Sequence, residues 1–110
     1  MSNRSDADLL NDIREAIDRI QSYIGAGNYA DFLGDIKTQD AVIRNIEILG
    51  EAAKLVSEEV RATYPSIPWR SMAGMRNRLV HDYFGVNLDI VWQVSVIELP
   101  KIALILADNP

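Results

Sequence analysis

One histidine and two nearby side chains supply the residue types that acid–base chemistry on a phosphate needs. His81 is the only histidine of the chain, and Arg76 and Asn77 precede it by five and four residues. Histidine exchanges protons near neutral pH, and arginine presents a rigid, permanently charged fork to phosphate oxygens. If one helix runs through all three, Asn77 and His81 lie about 40° apart around its axis and Arg76 and His81 about 140°. A phosphate contacted by Arg76 and His81 then lies across one edge of the helix or between two copies of it.

The charge of the chain is unevenly distributed. It carries 11 basic and 16 acidic residues, for a formal net charge of −5. This balance argues against a protein that coats nucleic acid non-specifically. Between positions 61 and 81, however, four arginines occur without any acidic residue: Arg61, Arg70, Arg76 and Arg78. A basic segment on an acidic body can focus one phosphate, so Arg70 and Arg78 are candidate contacts to phosphate or RNA. The alternatives are a solvated charged face or chance clustering.

Apolar residues at steps of three and four predict the helices that position these side chains. The first helix ends at the cluster 25–28, which is rich in glycine. The second begins with Thr38 as its N-cap and stops before Tyr64. The third has Pro68 in its first turn, carries His81 near its C-terminal end and is ended by Gly85. Their apolar stripes are Leu10, Ile13, Ile17, Ile20 and Ile24; Val42, Ile46, Leu49, Ala53, Val56 and Val60; and Trp69, Met72, Met75, Leu79 and Val80.

The last predicted helix runs from about Leu88 to Leu106, with Asn87 as its cap and a kink at Pro100. It is apolar almost all round, so it is either central in a bundle or covered by a second chain. No segment alternates with the period of a strand. The prediction is therefore an all-α protein, an antiparallel bundle of four to five helices in one domain over residues 1–110, and at least a homodimer.

Composition limits the cofactors and the compartment. The chain has no cysteine, which excludes disulfides, a thiolate zinc site and a cysteine nucleophile. The N-terminus lacks the apolar core of a secretory signal, and no uninterrupted apolar run approaches the ~20 residues of a membrane span. We therefore expect a cytoplasmic protein. Glu47 and Glu51 lie one helical turn apart, where they either bind a hard cation or line a cleft. We favour the second role and expect neither a metal nor another cofactor.

Several segments resemble one family. The pattern Arg76-Asn77-x-x-x-His81-x-Tyr83 resembles the R-N-x-x-x-H-x-Y signature of the HepT toxins, within the HEPN superfamily of helical ribonucleases. The flanking stretches 68–75 and 84–87 are similar to that family too, as is the stretch 41–52 with its Glu-x-x-Gly-Glu pattern. The resemblance covers most of the chain, from about Asp8 to Leu106.

The resemblance implies a helical bundle that pairs two copies so that both signatures meet in one cleft, and it implies cleavage of RNA without a metal. Such cleavage needs a base for the 2′-hydroxyl, an acid for the leaving 5′-oxygen, and positive charge for the developing phosphorane. Two copies of His81 can fill both proton roles. Arg76 would then stabilise charge, and Asn77 would orient His81 or the substrate.

Tyr83 and the partners complete this set of expectations. In proteins similar to this one, the tyrosine two residues after the histidine is adenylylated by a cognate nucleotidyltransferase, the MntA antitoxin. The added phosphates would compete with the substrate for Arg76. Without the resemblance, Tyr83 would be interpreted as a tyrosine that packs at a helix end with its hydroxyl in water. The alternative function is a catalytically silent helical binding module that serves as the partner of a nucleotidyltransferase.

Overall fold

Helices make up most of the part of the chain that the structure describes. The computed structural model describes residues 4–80 and 85–107, so His81 and Tyr83 lie outside the described residues. In chain order the helices are α1 (Asp6–Ile24), α2 (Tyr29–Leu33), α3 (Ile36–Leu55), α4 (Glu58–Thr63), α5 (Trp69–Ala73), α6 (Met75–Leu79), α7 (Leu88–Gln93), a π-helical turn (Val94–Glu98) and α8 (Leu99–Ala107). Apart from one isolated bridge, these residues contain no β-structure. The all-α prediction is confirmed.

Local signals at both ends define α1. Ser5 and Asp8 form a capping box, in which each side chain accepts a hydrogen bond from the backbone N–H of the other. This arrangement satisfies N–H groups that a helix start leaves unpaired. Gly25 follows the helix with φ = +54°, a backbone conformation that L side chains rarely adopt. The predicted stripe faces the core, where α1 packs against α3.

The second long helix starts earlier and stops earlier than predicted. Asp35, not Thr38, is the N-cap of α3, and its side chain accepts a hydrogen bond from the Thr38 backbone N–H at 3.0 Å. The helix ends at Leu55 because Ser57 caps a separate helix, α4. Asp6 accepts hydrogen bonds from both the backbone N–H and the hydroxyl of Ser57. This contact between distant segments fixes the break, and no local pattern could reveal it.

The segment after Pro68 forms two short helices instead of one. Pro68 precedes the first helical residue, and Gly74 separates α5 from α6. The second of these helices ends at Leu79, because Val80 is extended and forms an antiparallel bridge with Val86. The prediction that Gly85 ends this helix is therefore wrong. The angles given above from Arg76 and Asn77 to His81 assumed one continuous helix and do not apply, since the helix ends at Leu79.

The final helical segment has one buried and one exposed apolar face. Asn87 caps α7 as predicted, by accepting a hydrogen bond from the Ile90 N–H. The predicted disturbance near Pro100 takes the form of the π-helical turn just before it. Proline has no N–H to donate, and helices adjust their hydrogen bonding around such a gap. The buried apolar side chains of this segment are Val91, Val94, Leu99, Ile102 and Leu106, and the exposed ones include Val96, Ile97 and Leu104.

The same segment corrects one expectation about membranes. Residues Leu88–Ala107 form a 20-residue helix with a mean hydropathy of 1.7, which is long and apolar enough to cross a membrane by length and composition. Asp89, Glu98 and Lys101 interrupt its apolar sequence, so the length of the apolar runs alone does not indicate it. The core helix of a globular domain passes the same test, and 33% of its most apolar window is buried within this chain.

A glycine in α3 brings the helices of the candidate site close together. Gly50 faces α5, and a β-carbon at this position would lie 3.1 Å from the carbonyl oxygen of Met72. Such a distance is tighter than ordinary van der Waals contact. Gly50 therefore allows α5 to approach α3 closely, and α6 follows directly after α5 in the chain.

Candidate active site

The short helix α6 carries the first half of the predicted signature. Met75 and Leu79 are buried on its inner side, and Arg76 and Asn77 are exposed. The helix contacts α3, α5 and α7. Four residues apart, Met75 and Leu79 share one face of a helical turn. Burial of these two side chains therefore turns Arg76 and Asn77 toward solvent.

Arg76 borders a cleft of about 310 Å³ between α3 and the α5–α6 segment. Its Nε lies 3.7 Å from Oε2 of Glu47, and its side chain is 77% exposed. At 3.7 Å the contact is an ion pair but too long for a good hydrogen bond. The guanidinium therefore keeps its donors for another ligand. The cleft is lined by Arg44, Ile46, Glu47, Gly50, Glu51, Ala73 and Arg76.

Neighbouring cations lower the pKa of one carboxyl group of the cleft, that of Glu51. A hydrogen bond from Lys54, at 2.8 Å, lowers the pKa of Glu51, and the charge of Arg76 lowers it further. Among residues 4–80 and 85–107, no group of three or more His, Cys, Asp and Glu side chains is arranged to hold a metal ion. Glu47 and Glu51 both line the cleft and place acidic side chains near Arg76.

Arg78, two residues further along α6, is bound to other parts of the fold. Its two terminal nitrogens donate to the two carboxylate oxygens of Glu98 at 3.0 and 2.9 Å, and one of them also donates to the Ser71 hydroxyl at 3.1 Å. The hydrogen bonds to Glu98 raise the pKa of Arg78 and lower that of Glu98. The charge of Arg78 is therefore largely compensated, and its role as an RNA contact stays a prediction.

Of the other two arginines in the basic segment, one is likewise bound within the fold and the other is exposed. Arg61 donates to backbone carbonyls at the C-terminal end of α3, those of Ala53 and Val56, at 2.9 and 3.3 Å. Arg70 is exposed on α5, and its side chain forms no hydrogen bond or ion pair with the described residues. Half of the basic segment thus serves the fold, while Arg70 and Arg76 remain open to a ligand.

Two residues that matter here were not among the predicted site residues. Arg44 lines the cleft together with Glu47, and it lies three residues earlier on the same helix. Helical spacing from Glu47 would have indicated it. Glu98 is 20 residues from Arg78 in sequence, and no local spacing could have indicated that pairing.

Comparisons with known proteins relate the chain to one family of ribonucleases. The sequence model of a family described as "Ribonuclease HepT-like" matches residues 13–108. A probable ribonuclease HepT of Thermococcus cleftensis is 44% identical over 99 residues, which are 90% of each chain. A candidate RNase of Methanocaldococcus jannaschii is 40% identical over 93 residues, 84% of this chain and 77% of that protein. A second from the same organism is 37% identical over 102 residues, 93% of this chain and 84% of that protein.

No solved structure was found to match the chain. The family match covers most of the length, and identity to relatives named as ribonucleases is high over the same region. The matched region includes α6 with Arg76 and Asn77, as well as the stretch of α3 that borders the cleft. The chain therefore belongs to the HepT-like ribonuclease family.

Proposed function

We propose that this chain is the toxin of a toxin–antitoxin system and acts as a metal-independent endoribonuclease in the cytoplasm. The observation that carries the proposal is the state of Arg76. Its side chain is 77% exposed beside a cleft, and its ion pair with Glu47 is 3.7 Å long. A phosphate can displace such a contact at little cost, since exposed ion pairs are worth about 1 kcal/mol or less.

The chemistry needs proton transfer as well as positive charge. A base removes the proton of the 2′-hydroxyl, whose oxygen attacks the neighbouring phosphorus, and an acid gives a proton to the leaving 5′-oxygen. The products are a 2′,3′-cyclic phosphate and a 5′-hydroxyl. We assign the proton transfers to His81, the stabilisation of the phosphorane to Arg76, and the orientation of His81 or the substrate to Asn77. Arg70 would contact RNA from the neighbouring helix α5.

A single histidine per chain favours a site built from two chains. One imidazole would have to act as base and acid in one step, whereas two imidazoles related by a twofold axis can divide the two roles. The exposed apolar side chains of the last helix, among them Val96, Ile97 and Leu104, offer a surface for a second copy. We therefore propose a homodimer, or a larger assembly of dimers, with one composite site.

A cleavage assay tests the reaction. Purified parent protein should cleave RNA in the presence of EDTA and yield 2′,3′-cyclic phosphate ends. The His81→Ala variant should be inactive while keeping its circular dichroism spectrum. Arg19→Ala is a matched control, because Arg19 pairs with Glu15 on the exposed side of α1. If His81→Ala cleaves as fast as the parent, the assignment is wrong, and if EDTA abolishes cleavage that Mg²⁺ restores, the metal-free mechanism is wrong.

Subunit mixing tests the composite site. At constant total protein concentration, parent protein is replaced stepwise by His81→Ala protein and the subunits are allowed to exchange. If each site needs both histidines, only parent dimers are active, and the activity falls as the square of the parent fraction. A linear fall would show that each chain works alone.

Tyr83 carries the proposed regulation. A nucleotidyltransferase antitoxin of the MntA type would transfer AMP from ATP to the Tyr83 hydroxyl oxygen and release pyrophosphate. Because Tyr83 follows Arg76 closely in sequence, the transferred phosphate would compete with RNA for the Arg76 guanidinium. After co-expression with the antitoxin, mass spectrometry should find AMP on Tyr83, and Tyr83→Phe should stay active. An unmodified Tyr83 in an inhibited complex would point to inhibition by sequestration.

One observation favours a second function, that of a catalytically silent partner of a nucleotidyltransferase. Arg61 and Arg78, half of the basic segment, are engaged within the fold, so the surface offers less positive charge to RNA than the sequence indicates. The cleavage assay separates the two functions. A parent protein that binds the nucleotidyltransferase but cleaves no RNA would be the binding module.

A further inference from the structure

Arg78 joins three separate segments of the chain. From α6 it donates two hydrogen bonds to Glu98, in the π-helical turn, and one to the hydroxyl of Ser71 on α5. Its side chain is 37% exposed and that of Glu98 is 35% exposed. Two parallel hydrogen bonds between a guanidinium and a carboxylate fix orientation as well as distance. The Arg78–Glu98 pair therefore restrains how α6 is turned relative to the last helix.

Backbone contacts hold α6 at its C-terminal end, where the Asn87 N–H donates to the Leu79 carbonyl oxygen at 2.7 Å and Val80 pairs with Val86, but they do not act on the side of the helix that carries Arg78. The helix has five residues, Met75–Leu79, and helices this short have little stability of their own. Its buried side chains, Met75 and Leu79, are apolar, and apolar packing fixes orientation less strictly than directed hydrogen bonds. Positions 76 and 78 are about 200° apart around a helix. A restraint on Arg78 thus also sets the direction of Arg76 on the opposite side.

We infer that Arg78 and Glu98 are positioning residues, whose pairing turns α6 so that Arg76 faces the cleft bordered by Glu47. The inference rests on the proposed function, in which Arg76 holds the phosphate during cleavage. In this role Arg78 acts through Arg76 and does not touch the RNA. Glu98 contributes by holding Arg78, and Ser71 supports it with the third hydrogen bond.

The alternative is that Arg78 itself contacts an RNA phosphate, and the two roles predict different kinetics. Loss of a positioning residue leaves substrate binding largely intact but misplaces Arg76 in the transition state, which lowers kcat. Loss of a phosphate contact weakens binding and lowers the dependence of affinity on salt by about one charge. Glu98 separates the roles further, because removing an acidic group should not weaken a direct contact of Arg78 with RNA.

The experiment compares Arg78→Gln, Glu98→Gln and the double variant with the parent protein, at a temperature where circular dichroism shows all four folded. Each single variant should lower kcat about 10- to 100-fold, with KM and the salt dependence of KM unchanged. The double variant should be no slower than the single ones, because both remove the same interaction. Ser71→Ala should have a smaller effect of the same kind. Glu15→Gln is the matched control, since it breaks an exposed ion pair on α1.

Two results would overturn the inference. If Arg78→Gln alone raises KM and lowers its salt dependence, while Glu98→Gln leaves both unchanged, Arg78 contacts RNA directly. If both single variants keep the parent kcat, the pair does not position Arg76.

A measurement that does not depend on cleavage keeps the inference separate from the proposed function. Amide hydrogen exchange of α6 should be faster in Glu98→Gln than in the parent, and exchange of α1 should be the same in both. If the parent cleaves no RNA, the proposed function fails, and the exchange of α6 then decides whether the pair restrains this helix. Unchanged exchange in α6 would contradict the restraint, whatever the activity of the protein.

Discussion

Helix α6 presents two arginine–glutamate pairs on opposite sides, and they differ in the distance between the charged groups and in the exposure of the arginine. Arg76 and Glu47 approach to 3.7 Å, and the arginine is 77% exposed. Arg78 and Glu98 form two hydrogen bonds near 3 Å, with both side chains about one-third exposed. Two arginines that lie two positions apart, each paired with a glutamate, thus form different contacts. Arg76 makes a long contact beside a cleft, and Arg78 makes directed hydrogen bonds within the fold.

The difference separates charge available to a ligand from charge used by the structure. A guanidinium with two good carboxylate hydrogen bonds has little to gain from a phosphate, because it must first lose those bonds. A guanidinium with a long, exposed contact loses little. Within the described residues, Arg76 is therefore the better candidate for phosphate binding, although a count of charges treats Arg76 and Arg78 alike.

The largest expected effect is a loss of activity when Arg76, the arginine of the long Arg76–Glu47 contact, is removed. Arg76→Ala should lower kcat/KM for RNA cleavage about 10²- to 10³-fold, the usual cost of removing one donor that stabilises a developing negative charge. The melting temperature should hardly change, because the side chain is exposed. Steady-state kinetics and thermal unfolding measure the two quantities, with Arg19→Ala as the control. A loss below about tenfold would place the phosphate elsewhere.

The next effect is a loss of stability when the close packing of α5 against α3, which brings Arg76 near Glu47, is disturbed. Gly50→Ala places a β-carbon 3.1 Å from the Met72 carbonyl oxygen, so α5 must shift away from α3. Overpacking of this kind costs about 1–3 kcal/mol, and the better helix propensity of alanine returns up to about 1 kcal/mol. We expect a net loss near 1 kcal/mol in the free energy of unfolding. Gly34→Ala is the control, because its nearest neighbour would lie at 3.7 Å, and a stabilised Gly50→Ala would contradict the close approach.

A smaller effect is expected from the hydrogen-bonded Arg78–Glu98 pair, which should make the stability of the fold depend on pH. The hydrogen bonds from Arg78 lower the pKa of Glu98 below its ordinary 4.5. The pair therefore stabilises the fold fully above about pH 4.5, and this contribution is lost as the pH falls through the lower pKa of the folded state. Because both side chains are partly exposed, we expect at most about 1 kcal/mol.

Urea unfolding of the parent and of Glu98→Gln measures that contribution. The difference between their free energies of unfolding should be largest at neutral pH and should narrow toward about pH 3. Glu15→Gln, which breaks an exposed pair on α1, serves as the control. A difference for Glu98→Gln that stays constant over this range would show that the charge of Glu98 is not what stabilises the fold.

The smallest effect is expected from Glu47→Gln. Removing this carboxylate frees Arg76 from its long contact and takes one negative charge from the border of the cleft. RNA should bind about twofold more tightly, which corresponds to ~0.4 kcal/mol. Fluorescence anisotropy with a labelled RNA and the inactive His81→Ala background would measure it. If Glu47→Gln instead abolishes cleavage in the parent background, Glu47 takes part in the reaction.

The long helices were predictable because local signals define them. The stripe of α1 and its glycine end appear in the sequence as they do in the structure, and Asn87 caps the last helix as predicted. The breaks were not predictable, because distant residues set them. Asp6 holds Ser57 at the start of α4, and Val86 pairs with Val80 just after α6.

The candidate site was predictable to the same degree. The structure brings Arg76, Glu47 and Glu51 to one cleft. The spacing of the two glutamates allowed for a cleft-lining role, but it did not indicate that Arg76 borders the same cleft. The difference between Arg76 and Arg78 was not visible, because it depends on Glu98, which lies in a turn of the last helix with irregular geometry. Charges in a sequence can be counted, whereas their compensation depends on tertiary contacts.

The π-helical turn at Val94–Glu98 has a consequence for counting residues along the last helix. A π turn holds about one residue more than an α turn, so it acts as a single-residue insertion. Deleting one residue there would restore regular α-helical winding and leave the downstream turns facing the same way. Ile102 and Leu106, now buried, would stay on the core side. In an alignment of relatives, a one-residue gap at this point should therefore leave the apolar pattern of the C-terminal turns in step.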